Sequence, residues 1–322
     1  MTKINNYYFD KINFLEEIFG THNIKLNDQS IVINNIKYPI IDDVIIMHKN
    51  LVDEKKISTI KSFGNEWIEF NEITSEHFDE FNLYFDLVDL NKLKNKKIID
   101  IGCGIGRWSK ILIDKINIDK LVLLDLSDSI FIARKFFREN NNVIFIQQDL
   151  EKIQFKKNSF DFLACLGVLH HLPNREKNII NELSNISNYS LFYLYYKLDD
   201  MSKGFKFIFF FADIIRRILS KSNNEKINIL VSYFITIIFY LPFVIIAKFL
   251  KKIGLQNSRF PLSFYENASF FRIRQDAYDR FFTNIEFRTS KEEIHKIYGK
   301  YFNKITISKI KPYWHFICER YL

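Results

Sequence analysis

The sequence has little cysteine, glycine or proline. Its 322 residues include 3 Cys, 9 Gly and 5 Pro, too few for a loop-rich fold held together by disulfides. The cysteines, Cys103, Cys165 and Cys318, are odd in number and far apart, which is typical of proteins kept reduced inside the cell. Residues 1–20 also lack the apolar core of a secretory signal peptide. We therefore expect a cytoplasmic protein.

Apolar residues, in contrast, are plentiful. They make up 48% of the chain, which excludes global disorder and suffices for one large α/β domain with added elements. The net charge is +8, which nucleic acid, an acidic substrate or an anionic membrane would each suit. Most of this excess positive charge lies in one segment, because residues 198–262 carry ten Lys or Arg and four Asp or Glu. The same segment is the most apolar of the chain.

Predicted strands and helices alternate from residue 97 onward. Continuously apolar runs separated by helical segments predict a parallel sheet covered on both faces. Near the end, residues 290–293 form a capping box that opens a helix, and residues 305–310 and 314–321 predict a closing antiparallel hairpin. The expected fold is a Rossmann-like α/β fold with a seven-stranded, mostly parallel sheet and helices on both faces. A small N-terminal module precedes it, and a helical insertion follows the fifth strand.

A glycine-rich loop follows the first strand of this pattern. Gly102, Gly104 and Gly106 lie between a strand and a helix, where missing side chains let a ligand approach the backbone closely. The third glycine comes one residue too early for the dinucleotide fingerprint, which would place it at Arg107. The Gly-Lys-Ser/Thr of a phosphate-binding P-loop is also absent from the sequence. A nucleoside ligand without a pyrophosphate fits this loop better.

Acidic residues follow the next two predicted strands. Asp125 lies 19 residues after Gly106, and a carboxylate there can accept hydrogen bonds from both hydroxyls of a ribose. Asp149 follows the third strand, where it can accept a hydrogen bond from the adenine amino group. The spacing thus indicates an adenosyl ligand at the carboxyl ends of the strands.

These motifs resemble the successive motifs of class I S-adenosylmethionine-dependent methyltransferases, in that family's order and spacing. They are residues 98–109 (IIDIGCGIGRWS), 124–125 (LD), 148–150 (QDL) and 160–173 (FDFLACLGVLHHLP). The resemblance implies S-adenosylmethionine as the cofactor, with Asp100 near its methionine amino group. It further implies a set of cofactor-binding residues: Asp100, Gly102, Gly104, Gly106, Asp125, Leu126, Asp149, Leu150 and Leu166.

Two histidines follow the fourth strand and are the candidate catalytic residues. Methyl transfer is an in-line displacement, so an enzyme must hold the acceptor atom within about 3–3.5 Å of the methyl carbon. A hydroxyl acceptor also needs a proton acceptor, for which imidazole is well matched near neutral pH. His170 and His171 can supply it. The alternative is that one histidine caps the next helix and the other packs.

The ends of the chain resemble parts of more particular methyltransferases. Residues 38–45 are similar to the tail of a zinc-ribbon-like module that precedes some bacterial methyltransferase domains. Because the N-terminal cysteine pairs of that module are missing, we expect neither zinc nor any other metal. Four segments, 276–281, 285–288, 292–294 and 312–315, are similar to the C-terminal half of methyltransferases associated with bacterial surface-polysaccharide clusters. That similarity implies a sugar-containing or lipid-linked acceptor.

The predicted domain division has three parts. Residues 1–60 form the degenerate N-terminal module, and residues 61–197 with 263–322 form the methyltransferase domain. The insertion, residues 198–262, is apolar and basic. Its residues 227–247 contain no charge over 21 positions, which is long enough to span a membrane. A single crossing, however, would separate the last strands from the sheet with which they must pair.

We therefore predict that the insertion forms two helices near the carboxyl ends of the strands, beside the acceptor pocket. Pro242 is expected to kink the second helix. Three roles stay open at this point: peripheral contact with the inner face of a membrane, a lid over the site, or a dimer surface.

The predicted function is methyl transfer from S-adenosylmethionine to a small-molecule, glycan or lipid-linked acceptor, at oxygen. The charge and the 16% aromatic content suggest an RNA methyltransferase as an alternative. Because the charge lies in the apolar insertion rather than in a basic, aromatic groove, nucleic acid is disfavoured. A non-catalytic scaffold is the third hypothesis. The glycine loop argues against it, since no structural need requires Asp100, Asp125 and Asp149 together.

Overall fold

The chain folds into two compact units. A computed structural model describes residues 7–47, 54–172, 179–198, 203–222, 224–255 and 260–321. One unit, the sheet unit, comprises residues 1–52, 71–196 and 287–322, and the other, the helical unit, comprises 53–70 and 197–286. The sequence-based division differs, because it set residues 1–60 apart and closed the insertion at residue 262.

Among the residues that the structure describes, the sheet unit has eleven strands rather than the predicted seven. They are β1 Ile24–Asn27, β2 Ser30–Ile33, β3 Ile36–Ile41, β4 Val44–Ile46, β5 Lys97–Ile101, β6 Lys120–Asp125, β7 Val143–Gln147, β8 Phe162–Leu166, β9 Tyr189–Tyr193, β10 Lys304–Ile307 and β11 His315–Glu319. Their order is β1-β2-β3-β4-β7-β6-β5-β8-β9-β11-β10. The pairs from β4 to β9 are parallel, and the pairs at both ends of the sheet are antiparallel.

The four additional strands come from the N-terminal segment. Strands β1 to β4 form an antiparallel meander, and β4 pairs in parallel with β7. The edge of β7 offers backbone N–H and C=O groups that need partners, and β4 supplies them. The hydroxyl of Tyr8 also donates to the Phe145 carbonyl of β7 at 3.2 Å. The count of seven strands was wrong because this segment extends the sheet.

Helices lie on both faces of the sheet. Those of the sheet unit are α1 Ile12–Phe19, α3 Ser75–Tyr84, α4 Arg107–Lys115, α5 Ser129–Phe136, α6 Ile180–Ile186 and α11 Lys291–Tyr298. Successive strand residues point to opposite faces, so Ile99 belongs to a core cluster with residues of α1, α6 and α11, while Ile98 belongs to one with residues of α3, α4 and α5. The predicted capping box at Ser290 and Glu293 opens α11. The start of the helix predicted after Pro173, residues 173–178, lies outside the described residues.

The helical unit is assembled around α10. Its helices are α2 Glu54–Glu69, α7 Lys203–Leu219, α8 Glu225–Ile235, α9 Leu241–Lys252 and α10 Phe270–Phe282. A π-helical turn, Thr236–Tyr240, joins α8 to α9, so that Glu225–Lys252 is one helix of 28 residues. The turn immediately precedes Pro242, whose missing N–H perturbs helical hydrogen bonding there. Helix α10 packs against α2, α7 and α8.

Candidate functional site

Parallel strands bring the motif residues to one edge of the sheet. Strand β5 runs into Gly102, β6 ends at Asp125, and β7 ends shortly before Asp149. Neighbouring strands end in register, since Asp125 pairs with Gln147 of β7 and Leu166 of β8 pairs with Tyr193 of β9. This is the carboxyl edge, where ligands bind in open α/β sheets.

The glycine loop needs glycine for both conformation and space. Gly102, Gly104 and Gly106 have φ angles of 67°, 56° and 74°, in the left-handed region that side chains disfavour. A Cβ on Gly102 would lie 2.1 Å from Cγ2 of Val168, and one on Gly106 would lie 2.9 Å from Cε2 of Phe137. The loop therefore packs closely against Val168 and Phe137, and its glycines leave the backbone without side chains at the carboxyl edge of the sheet.

Asp125 is hydrogen-bonded directly to this loop. Its Oδ2 accepts from the Gly104 N–H at 2.8 Å, and its Oδ1 accepts from the N–H and the hydroxyl of Ser127, both at 2.8 Å. Burial raises the pKa of Asp125, and these donors oppose that effect. Because the carboxylate is fixed at the start of the glycine loop, it is placed to accept hydrogen bonds from hydroxyls of a ligand bound there.

Asp100 lies at the end of β5, just before the loop, and is buried. The Ser109 hydroxyl donates to its Oδ2 at 2.7 Å. Burial raises the pKa of Asp100 to about 7, the negative charge of Asp125 adds to the rise, and Arg107 opposes it. The carboxyl is therefore close to its protonation midpoint at neutral pH, and a cation beside it would favour the charged form.

The other predicted cofactor residues have different local roles. The Leu126 carbonyl accepts from Nε2 of Gln147 at 3.3 Å. Asp149 is buried, and its carboxylate accepts the Glu151 N–H at 3.0 Å, which caps a short 3-10 turn. Leu150 is buried in the core cluster of one sheet face. Leu166, at the end of β8, is partly exposed at the carboxyl edge.

Both candidate catalytic histidines lie on a 3-10 turn, Leu169–His171, beyond β8. The His170 ring is fully buried and stacks on Tyr195, with ring centroids 3.9 Å apart. The His171 ring centroid is 4.1 Å from that of His170. The His170 carbonyl accepts the Phe287 N–H at 2.9 Å, so the turn is tied to the segment that leads into α11. Packing therefore holds both rings in fixed positions.

An aromatic cluster that sequence reasoning missed surrounds these histidines. Tyr193, at the end of β9, lies with its ring centroid 6.1 Å from His170 and 5.1 Å from Tyr84 of α3. Tyr84 in turn lies 5.0 Å from Trp108 of α4. The rings thus connect the helix after the glycine loop to the histidine turn. Tyr193, at the end of a strand in the motif region, was the one feature of the sequence that could have indicated this cluster.

A histidine–carboxylate pair, of which the histidine is buried, supports this cluster. Nε2 of His315 lies 2.7 Å from Oδ1 of Asp86, and Nδ1 lies 2.6 Å from the Pro312 carbonyl. A carboxylate and a carbonyl only accept hydrogen bonds, so a ring nitrogen that carries hydrogen donates to the partner it faces. The Ser308 hydroxyl donates to the other Asp86 oxygen at 2.7 Å. The His315 ring centroid is 6.2 Å from that of Tyr84.

No group of three or more His, Cys, Asp or Glu side chains that could hold a metal ion occurs among the residues that the structure describes.

Comparison with known proteins identifies the domain that contains this site. Residues 98–188 match the family model described as a methyltransferase domain. The ubiquinone biosynthesis O-methyltransferase of Coxiella burnetii (strain RSA 493 / Nine Mile phase I) is 31% identical over 91 residues, which are 28% of this chain and 38% of that protein. The phosphoethanolamine N-methyltransferase of Plasmodium falciparum (isolate 3D7) is 27% identical over 92 residues, 29% of this chain and 35% of that protein.

The chain thus spans well under half the length of these curated relatives. Among solved structures, magnesium protoporphyrin IX methyltransferase from Synechocystis PCC 6803 with bound S-adenosylmethionine is 14% identical. That match covers 84% of this chain and 98% of that one, with a TM-score of 0.45.

The predicted class, an S-adenosylmethionine-dependent methyltransferase, is confirmed at the level of the domain, and S-adenosylmethionine is the cofactor of that class.

Proposed function

We propose that the protein transfers a methyl group from S-adenosylmethionine to a small-molecule acceptor, at oxygen. The observation that carries the proposal is the Asp125 carboxylate, held by the Gly104 N–H at the start of the glycine loop. A carboxylate there suits ribose hydroxyls, and a loop without side chains suits close approach of a nucleoside. Asp100, two residues before Gly102, suits an ammonium group. The donor and acceptor groups present therefore fit an adenosyl cofactor that carries an amino acid.

Each residue has a distinct part in this proposal. When bound, S-adenosylmethionine supplies an electrophilic methyl group. Asp125 would accept from the ribose hydroxyls, and Asp100 would hold the ammonium group in its charged form. The backbone around Gly104 would border the cofactor, and Leu166 would contact its apolar parts. These residues bind and orient, which is the main requirement of an in-line transfer.

The acceptor would lie against the aromatic cluster. Tyr84, Tyr193 and Tyr195 offer ring faces for an apolar or planar molecule and hydroxyls that can orient it. The turn that carries His170, which stacks on Tyr195, and His171 supplies the imidazole that we propose as proton acceptor for a hydroxyl nucleophile. The curated relatives are named for methylation at oxygen and at nitrogen, and the imidazole favours oxygen. Glycan and lipid-linked acceptors, which the resemblance of the C-terminal segments implies, belong to the same proposal.

Calorimetry with S-adenosylmethionine and its demethylated product tests the proposal. Wild-type protein should bind both, and Asp125→Asn should weaken binding roughly 10- to 100-fold, because a charged acceptor of hydrogen bonds is lost. Asp114→Asn, which removes an exposed carboxylate on α4, is the matched control and should bind like wild type. Thermal unfolding verifies that each variant is folded. Absence of binding by folded wild-type protein at millimolar cofactor would refute the proposal.

A further inference from the structure

Two helices of the helical unit leave large apolar faces exposed. On α7 these include Phe207, Phe210 and Ile218, and on the helix Glu225–Lys252 they include Ile237, Ile245 and Phe249. Each of these six side chains is more than half exposed. Monomeric soluble proteins rarely expose apolar patches of such extent unless the patch binds a partner or a membrane.

The opposite face of the long helix is already packed. Asn228, Ser232, Thr236 and Tyr240 recur every fourth residue and are buried. The Tyr240 hydroxyl donates to Oδ2 of Asp276 on α10 at 2.9 Å. The helix therefore turns its polar stripe toward the core of the unit and its apolar face outward, the reverse of an ordinary surface helix.

Basic residues accompany the exposed apolar faces. In the described part of residues 203–255, every exposed charged side chain is Lys or Arg, including Lys221, Lys226, Lys248 and Lys252. The two acidic residues of this stretch, Asp213 and Glu225, are partly buried, and Asp213 pairs with Arg216 and Arg217. The surface thus combines apolar area with positive charge, as membrane-surface helices do.

We propose that the helical unit docks on the surface of an anionic lipid bilayer. The exposed faces of α7 and of Glu225–Lys252 lie at the boundary between headgroups and acyl chains, and the lysines contact anionic headgroups. Lipid is the occupant rather than a second copy of the chain, because a second copy would bring the same positive charges against this surface. The inference is independent of the proposed methyl transfer.

The docked helix lies in the plane of the membrane. Glu225–Lys252 is the one helix in the described residues that is long and apolar enough to cross a bilayer. Near its middle, however, Tyr240 is bonded to Asp276, whose carboxylate lies 3.6 Å from Nε of Arg280. A spanning orientation would carry this charged cluster of α10 to the middle of the bilayer, which is costly. Burial of one face to the depth of the headgroups avoids that cost.

Flotation of the full-length protein with vesicles tests the docking. The protein should float with vesicles that contain phosphatidylglycerol and far less with phosphatidylcholine alone. High salt should weaken the binding without abolishing it, because apolar burial persists when charges are screened. Ile245→Asp and Phe249→Asp should each lower the vesicle partition coefficient at least ~10-fold. Lys248→Gln and Lys252→Gln should each lower it about 5-fold.

A matched control shows whether the effect is specific to the docking faces or follows from the loss of any exposed apolar side chain. Ile41→Asp changes an exposed isoleucine of β3 in the sheet unit and should leave the partition coefficient unchanged. Cofactor calorimetry on the same preparations distinguishes failure of docking from failure of the methyltransferase proposal, and circular dichroism verifies folding. Wild-type protein that ignores anionic vesicles overturns the inference, as does an equal effect of Ile41→Asp and Ile245→Asp.

Two further results would overturn it. The first is that wild-type protein ignores vesicles and sediments as a dimer without lipid, and that Ile245→Asp converts this dimer to a monomer. A second copy of the chain would then cover the exposed apolar face. The second is wild-type protein that resists alkaline extraction from membranes, since the helix would then span the bilayer.

Discussion

Asp100 is a buried carboxyl whose charge depends on what lies beside it. Its pKa is raised to about 7, chiefly by burial and further by the charge of Asp125. Below that pH the folded protein retains a proton that a solvated carboxyl would have lost. A bound ammonium or sulfonium group would favour the ionised form and lower the pKa again. Cofactor binding and proton release are therefore expected to be coupled at this residue.

The first residue-scale prediction follows from that coupling. Affinity for S-adenosylmethionine should rise as the pH is raised through about 7, because below that value Asp100 must lose a proton in order to bind the cation. Calorimetry in two buffers of different ionisation enthalpy should detect proton release near pH 7. Asp100→Asn should bind more weakly, release no proton and show a flattened pH dependence. The same pH slope in wild type and Asp100→Asn would assign the coupling to another group.

The sequence predicts the positions of some site residues and not those of others. The positions of Gly102, Gly104 and Asp125 followed from the sequence, because the carboxyl ends of parallel strands meet at one edge. The positions of Tyr84 and Tyr193 did not follow, because their contact joins α3, a helix ahead of the first motif, to β9. Such a contact depends on packing between distant segments, which spacing along one chain does not encode.

At the scale of elements, the His315–Asp86 pair joins β11 to the segment after α3. Loss of one partner would leave the other without its hydrogen-bond partner. Asp86→Asn and His315→Gln should each lower the free energy of unfolding by about 1–3 kcal/mol, because each change disturbs the hydrogen bonds of the buried His315 position. Urea unfolding followed by circular dichroism measures this.

The same hairpin provides a control for that prediction. Lys304→Gln removes an exposed ion pair between Lys304 of β10 and Glu319 of β11, and it should change stability little because solvent screens such pairs. If the Lys304 variant lost as much stability as the His315 variant, general disruption of the hairpin would explain both, and the His315–Asp86 pair would not be special.

The edge of the sheet shows where element prediction stops. The helix and strand pattern from residue 97 predicted the parallel run. Which edge the N-terminal strands join was not predictable, because a short strand pairs with whatever edge is open. Likewise, the extension of the helical unit to α2 and α10 rests on packing among Phe70, Tyr240 and Tyr278, residues that lie far apart in sequence.

At the scale of the whole molecule, the proposed cofactor residues all belong to the sheet unit. A ligand that binds only the folded form stabilises what it contacts, by about 2.7 kcal/mol at a hundred times its dissociation constant. Amide hydrogen exchange should therefore slow on addition of S-adenosylhomocysteine in β5, α4 and β6. Helices α7 to α9 should exchange at unchanged rates. The measurement is exchange by mass spectrometry with and without ligand.

Asp125→Asn is the reference for that experiment, because at the same ligand concentration its weaker binding should give less protection in β5 and α4. Protection that is lost in this variant is attributable to binding at the glycine loop rather than to a general effect of the ligand. Equal slowing in α7 to α9 and in β5 would contradict the prediction. The stabilising effect of the ligand would then extend to the helical unit, and the two compact units would unfold as one cooperative body.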